Sequence, residues 1–235
     1  MTGAAARLVV VGTPIGNLGD LAPRAAEALG GAEVVACEDT RRTGRLFSML
    51  GLAAPRFVRL DEHTEAEVAP DLVRRAAAGT RVVLVSDAGL PGLSDPGGRT
   101  VALAAAEGLV VEVVPGPFAG AVAAVASGLL DGSGRFCFDG FLPRKGAERG
   151  VRLAALAAER RPTVLYESPH RVAATVADLA AVCGADRRVA LCRELTKLHE
   201  DVWRGSLADA VDHLAGVPPK GEFVLVVDGA PARWS

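Results

Sequence analysis

Apolar residues in this chain come in short unbroken runs, each followed by a longer stretch in which they recur every three or four positions. Val82-Val83-Leu84-Val85 is the clearest run, β-branched and free of charge. Such a run marks a strand buried on both faces. Leu8–Val11 repeats the pattern, and Glu33–Cys37, Phe57–Leu60 and Val110–Val114 follow it with one charged residue each, at Glu33, Arg59 and Glu112. Helices are expected between them over 21–29, from Thr40 to near Gly51, and over 65–78, 99–108 and 118–127, with Thr40 placed to cap its helix. Strands alternating with helices at this spacing predict a mostly parallel sheet.

The alternation restarts after Leu129–Arg135, where Asp131-Gly132-Ser133-Gly134 is the expected linker. Strands are predicted at Phe136–Phe141, Thr163–Tyr166, Arg188–Arg193, Val202–Gly205 and Phe223–Val227, and helices over 145–160, 169–182 and 206–215. The pattern predicts two α/β domains, 1–130 and 131–235, with a cleft between them.

Two loops stand out. The strand at Val82–Val85 breaks into Ser86-Asp87-Ala88-Gly89 and then Ser94-Asp95-Pro96-Gly97-Gly98. Each break sets an acid beside glycine or proline, which is turn chemistry. Two such turns in succession are longer and stiffer than a connection needs. Ligands in open α/β sheets sit at the carboxyl ends of the strands, so this is a candidate ligand loop. The first loop has glycines at 12, 16 and 19, a spacing that fits neither the dinucleotide fingerprint nor a phosphate-cradling P-loop. Glu38 or Asp39 stands where a ribose-binding acid would follow a Rossmann turn, which keeps a nicotinamide enzyme open. The single tyrosine, Tyr166, is followed by Glu167-Ser168-Pro169-His170, so the tyrosine–lysine pair of a short-chain dehydrogenase is missing.

Composition narrows the classes. With 235 residues, half of them apolar, the chain can bury a substantial core. A net charge of −2 gives no bulk attraction to nucleic acid. RNA contacts would therefore come from local patches, Arg41-Arg42 with Arg45, and Arg144-Lys145 with Arg149 and Arg152. The four cysteines form no CxxC pair and the four histidines are dispersed, which points away from a metal site and toward a reducing compartment. Met1–Arg7 lacks the apolar segment of a signal peptide, and Phe118–Leu130 is too short to span a bilayer. A soluble cytoplasmic protein is expected.

Nine short motifs occur in order: Gly12-Thr13-Pro14-Ile15-Gly16-Asn17-Leu18, Glu38-Asp39-Thr40-Arg41, Ser86-Asp87-Ala88-Gly89, Asp95-Pro96-Gly97, Pro115-Gly116-Pro117, Gly140-Phe141-Leu142-Pro143, Tyr166-Glu167-Ser168-Pro169-His170-Arg171, Arg193-Glu194-Leu195-Thr196-Lys197 and Lys220-Gly221-Glu222. In this the sequence resembles the tetrapyrrole methylase family, and within it the branch that methylates a cytidine 2′-hydroxyl of 16S ribosomal RNA. The resemblance runs from about Leu8 to Gly229. It implies a two-domain α/β methylase that uses S-adenosyl-L-methionine, forms a homodimer and acts on 16S ribosomal RNA in the 30S subunit. It also implies a cofactor folded in the interdomain cleft beside Pro14, Asp87, Ala88, Gly89, Gly116 and Ala119, with Tyr166, Leu195, Glu222, Phe223 and Val224 from the second domain. The sequence departs from the family pattern at Leu90 and at Asp61-Glu62-His63. Family members commonly continue into a small helical domain, whereas this sequence stops at Ser235.

Methyl transfer to a ribose hydroxyl needs donor and acceptor in line, and a base for the proton. Candidate bases are Asp39, Asp87, Glu194, Lys197 and Glu200, with Glu194, Lys197 and Asp39 expected to carry catalysis. Glu194 and Lys197 are three residues apart, so they share a face only in a turn or helix; otherwise they form a surface ion pair. Lys197 would act electrostatically, or as a base if desolvated. Tyr166 would stack on a base or adenine, or sit in the core. His63 and His170 are further candidate bases. Arg41, Arg42 and Arg144 are the expected RNA-binding residues, positioning phosphates. Two other readings stay open: a small-molecule methylase acting on a tetrapyrrole-like acceptor, and a non-catalytic cofactor-binding module.

Overall fold

The strands that the apolar runs predict form two separate five-stranded sheets. The computed structural model describes residues 7–130, 132–216 and 220–231. Asp131 of the expected linker, the start of the segment read for a signal peptide and Ser235 lie outside the described residues.

The first unit runs to Phe118. It comprises β1 (Arg7–Val11), α1 (Pro23–Gly30), β2 (Val34–Cys37), α2 (Thr40–Met49), β3 (Arg56–Arg59), α3 (Glu65–Ala77), β4 (Val82–Leu84), α4 (Gly98–Ala106) and β5 (Val110–Val114). Its strand order is β3-β2-β4-β1-β5, and every neighbouring pair is parallel. Each residue of β2 and β4 is buried because helices cover both faces. Leu8, Val10, Val34, Ala36, Val82 and Leu84 face Leu72, Val73 and Ala76 of α3 and Ala104 of α4. Val11, Val35, Cys37 and Val83 face Ala25 and Leu29 of α1 and Phe47 of α2. Each fully buried leucine or valine contributes about 1.5–3 kcal/mol. A parallel sheet delivers all its strand-exit loops to one edge, and the candidate loops lie there.

The cap of α2 is Asp39 rather than Thr40. Asp39 keeps extended backbone angles, and its carboxylate accepts from the amides of Arg41 (2.8 Å) and Arg42 (3.4 Å). An N-cap needs both features, and Thr40 is already helical.

The second unit begins at Ala119. It holds α5 (Ala119–Ser127), β6 (Cys137–Phe141), α6 (Ala147–Ala158), β7 (Thr163–Glu167), α7 (Val172–Cys183), β8 (Arg188–Arg193), β9 (Asp201–Ser206), α8 (Leu207–Ala215) and β10 (Phe223–Val227). The division thus precedes α5 instead of following residue 130. Helix α5 packs on β7, β8 and β10 through Gly120, Ala123, Ala124 and Ser127, which are small enough for close approach. Arg204 of β9 donates to the carbonyls of Ser127 and Ala126 at the end of that helix.

A mostly parallel arrangement does not hold in this unit. The order is β6-β7-β10-β8-β9, and only β6–β7 is parallel. Strands β8 and β9 are joined by a loop with no helix, so the chain reverses and the pair is antiparallel. Strand β10 inherits the reversed direction and inserts between β7 and β8, antiparallel to both.

Candidate active site

Three strand exits of the first unit are stitched together by their backbones. Thr13 and Gly89 exchange amide–carbonyl hydrogen bonds of 2.8 and 3.1 Å, and Gly89 has a left-handed φ of 80°. The Gly12 amide donates to Val114 (3.0 Å). Gly12 and Gly116 lie so close that a Cβ on Gly116 would stand 2.7 Å from the Gly12 backbone. This brings together the loops of Pro14, Ala88-Gly89 and Gly116, as the sequence expects, on a floor where Gly12 and Gly116 meet backbone to backbone. Asp87 stands at the edge of that floor. Its carboxylate accepts from the Asp39 amide and from the Arg42 guanidinium, each at 3.0 Å.

Beside this floor lies a cavity of about 970 Å³, lined by the exits of β2, β3 and β4 and the start of α4. Most of its carboxylates are already engaged. Asp39 caps α2 and pairs with Arg41; its hydrogen bonds from the Arg41 amide and side chain hold its pKa below the ordinary value. Asp61 accepts from the Thr64 and His63 amides and pairs with Arg59. Glu65 is 6% exposed and accepts from the Gly97 and Thr100 amides and the Thr100 hydroxyl. Glu38, half-buried, makes no hydrogen bond or ion pair among the described residues. Burial, then the charges of Asp87, Asp95 and Asp61 against a lesser opposing effect of Arg42, push its pKa up to about 7.

In the second unit, Glu194 and Lys197 meet because the segment after β8 turns. Glu194 and Thr196 both have left-handed φ, 53° and 65°. Ser94, in the acidic loop of the first unit, is the remaining non-glycine residue with such a φ among the described residues. These outliers in side-chain-bearing residues mark candidate functional loops. The Lys197 ammonium donates to Glu194 and Glu222, each at 2.8 Å, and the Glu222 amide donates to Glu194 (2.8 Å). Burial pulls the Lys197 pKa down, but its bonds to the two carboxylates outweigh this and leave it above the ordinary lysine value. Lys197 is therefore held charged, which suits an electrostatic role and not that of a base. Leu195 is buried between them in sequence, and the Thr196 hydroxyl is buried with no hydrogen-bond partner among the described residues. Glu200 accepts from the Thr196 amide.

The remaining expected residues divide. Tyr166 lies edge-on to Phe138 and Phe141, at 5.0 and 5.6 Å, and its hydroxyl accepts from the Gly120 amide, next to Ala119 (3.2 Å). Phe223 and Val224 are buried in β10. Arg42 is held by Asp87 and Arg41 lies on Asp39, so neither guanidinium is unengaged. Arg149 grips Asp178, Thr175 and the Pro143 carbonyl, and Arg152 grips Asp139; both serve the second unit's own packing. Arg144 is exposed. His63 pairs with Glu62 (3.3 Å). Sequence reasoning did not name Glu38 as a base and quoted Thr196 only within a motif, without a role. A strand-end acid was visible, but which acid is left without a partner depends on the fold.

The model of the tetrapyrrole (corrin/porphyrin) methylases matches residues 7–211. The chain belongs to the tetrapyrrole methylase family. This methylase is 43% identical to the ribosomal RNA small subunit methyltransferase I of Synechocystis over 223 residues, 95% of this chain and 79% of that relative. To the Mycobacterium tuberculosis protein of the same name it is 46% identical over 225 residues, 95% of this chain and 78% of that one. A crystal structure of uroporphyrin-III C-methyltransferase from Thermus thermophilus complexed with S-adenosylhomocysteine shares the fold, with a TM-score of 0.63 at 22% identity, covering 93% of this methylase and 96% of that chain. Among the described residues no group of histidine, cysteine, aspartate or glutamate side chains is arranged to hold a metal ion, and no helix is long and apolar enough to cross a membrane.

Proposed function

We propose that this chain transfers the methyl group of S-adenosyl-L-methionine to a cytidine 2′-hydroxyl of 16S ribosomal RNA. The observation that carries the reading is its 43–46% identity, over 95% of its length, to relatives named as small-subunit ribosomal RNA methyltransferases. The site chemistry fits the cofactor. The Gly12–Gly116 contact holds two strand exits backbone to backbone, too close for a Cβ on either, and the buried Thr196 hydroxyl has no hydrogen-bond partner among the described residues. The cofactor supplies an electrophilic methyl on a sulfonium. The proposed cofactor residues of the first unit are Pro14, Asp87, Ala88, Gly89 and Gly116; those of the second are Ala119, Tyr166, Leu195, Glu222, Phe223 and Val224. Arg144 contributes to phosphate contact. Arg41 and Arg42 do so only by leaving their carboxylate partners, at a cost to affinity. A ribosomal substrate sets the reaction in the cytoplasm.

Incubation with methyl-labelled cofactor and either 30S subunits, free 16S RNA or a porphyrinogen tests this. Label is expected on RNA from 30S subunits, at ribose positions; label on the porphyrinogen alone would overturn the reading. The same preparation is expected to sediment as a homodimer at micromolar concentration, because β5 ends the sheet with Val110 and Val113 about half exposed. A monomer there overturns the dimer alone.

Glu194 and Lys197 act together. Lys197 keeps its charge and Glu194 fixes its position. Lys197→Ala and Glu194→Gln are expected to lower turnover on 30S subunits roughly tenfold or more, by analogy with loss of a charge-assisted contact of about 1.5–3 kcal/mol. Cofactor affinity by calorimetry should change less. Wild-type rates in both variants would remove the pair from the chemistry.

A further inference from the structure

The methyl acceptor must lose a proton as the new bond forms, and the carboxylates at the strand exits differ in whether they are free to take it. Asp39 and Asp61 accept from amides of their own loops, and Glu65 accepts from the Gly97 and Thr100 amides at the start of α4. Asp87 ties the Asp39 amide to Arg42, and Glu62 pairs with His63 at the exposed rim. Glu38 follows directly on β2, lines the 970 Å³ cavity, and has no hydrogen-bond or ion-pair partner among the described residues. Arg59, which pairs with Asp61, and Arg99 also line this cavity, among several carboxylates.

We propose that Glu38 is the general base of the reaction. The assignment rests on the methyl-transfer reading above and gives its proton a destination. Glu38 takes the proton of the 2′-hydroxyl as the hydroxyl oxygen bonds to the methyl carbon. The carbon–sulfur bond breaks with its electron pair left on sulfur, so the sulfonium becomes a neutral thioether. The proton then passes from Glu38 to water in the cavity. Burial and the facing charges of Asp87, Asp95 and Asp61, with Arg42 opposing, put the carboxylate near neutrality. At such a pKa the carboxylate is about half ionised at neutral pH and still basic enough to accept a proton.

Full-length Glu38→Gln and wild type are compared on 30S subunits with labelled cofactor between about pH 6 and about pH 8.5. The expected result is a rate roughly 10²–10⁴-fold lower in the variant, with cofactor affinity by calorimetry within about twofold of wild type. Wild-type kcat/KM should fall as pH drops below about 7, and the variant should lose that acid limb. Thermal stability separates this role from a structural one. With its folded-state pKa raised, Glu38 favours the fold most when protonated, and this contribution is lost as pH rises through about 7. The variant should therefore melt no lower than wild type at about pH 8. A wild-type rate in the variant, a retained acid limb, or a clear loss of melting temperature at that pH overturns the assignment and leaves the methyl-transfer reading standing. Absence of label with the wild-type protein overturns both.

Discussion

Gly116→Ala is expected to lose adenosylmethionine binding roughly ten- to a hundredfold. The added methyl would stand 2.7 Å from the Cα and carbonyl carbon of Gly12. Both are backbone atoms, so no rotamer relieves the overlap and one strand exit must move. Overpacking of this kind costs about 1–3 kcal/mol. Here the displaced segments are the ones that build the proposed cofactor floor, so the cost appears in affinity. Gly12 is hydrogen-bonded to Val114, and Thr13 is paired with Gly89, so a shift at Gly116 passes to two other loops. Calorimetric titration of the variant checks the prediction. Gly98→Ala is the control: a Cβ there meets nothing within 4 Å and lies in the first turn of α4. Wild-type affinity in Gly116→Ala, with the fold intact, would place the cofactor away from this contact.

Glu65→Ala is expected to destabilise the first unit by about 3–5 kcal/mol. A single carboxylate oxygen, almost wholly buried, accepts the Gly97 amide, the Thr100 amide and the Thr100 hydroxyl at 2.9–3.1 Å. It supplies from α3 the cap that the start of α4 lacks, since the Gly97 cap position has no side chain to offer. Removal strands three buried donors. The melting temperature should fall by roughly 10 °C or more. Glu65→Gln keeps one acceptor oxygen and should lose less than half as much. Equal losses in the two variants would mean that charge, and not hydrogen bonding, holds α4. The loop that Glu65 anchors carries Ser94 and Asp95 into the cavity, so turnover should suffer along with stability.

The sequence by itself determined the elements. Strands buried on both faces must be continuously apolar, and helices with one covered face must repeat near every third or fourth residue; both signals are local. The runs at Val82–Val85 and Phe223–Val227 predicted β4 and β10 for this reason. It also singled out the candidate loops, because the motifs around Pro14, Asp87 and Glu194 are contiguous in the chain. Strand direction in the second sheet was not legible. The alternation of strands and helices is the same whether β10 lies beside β9 or inserts between β7 and β8, and only long-range pairing selects the second. The boundary between the units was hidden likewise: α5 reads as one more helix of the first alternation until its small-residue face finds β7, β8 and β10. The division of labour among acids was decided last and only in three dimensions. Glu38 and Asp39 are adjacent, of one chemistry and in one motif. One caps a helix and is held ionised by amides; the other lines a cavity, feels the charges of Asp87, Asp95 and Asp61, and has no hydrogen-bond partner among the described residues. A carboxylate's basicity is set by the dipoles and charges that folding brings to it, and those come from residues tens of positions away.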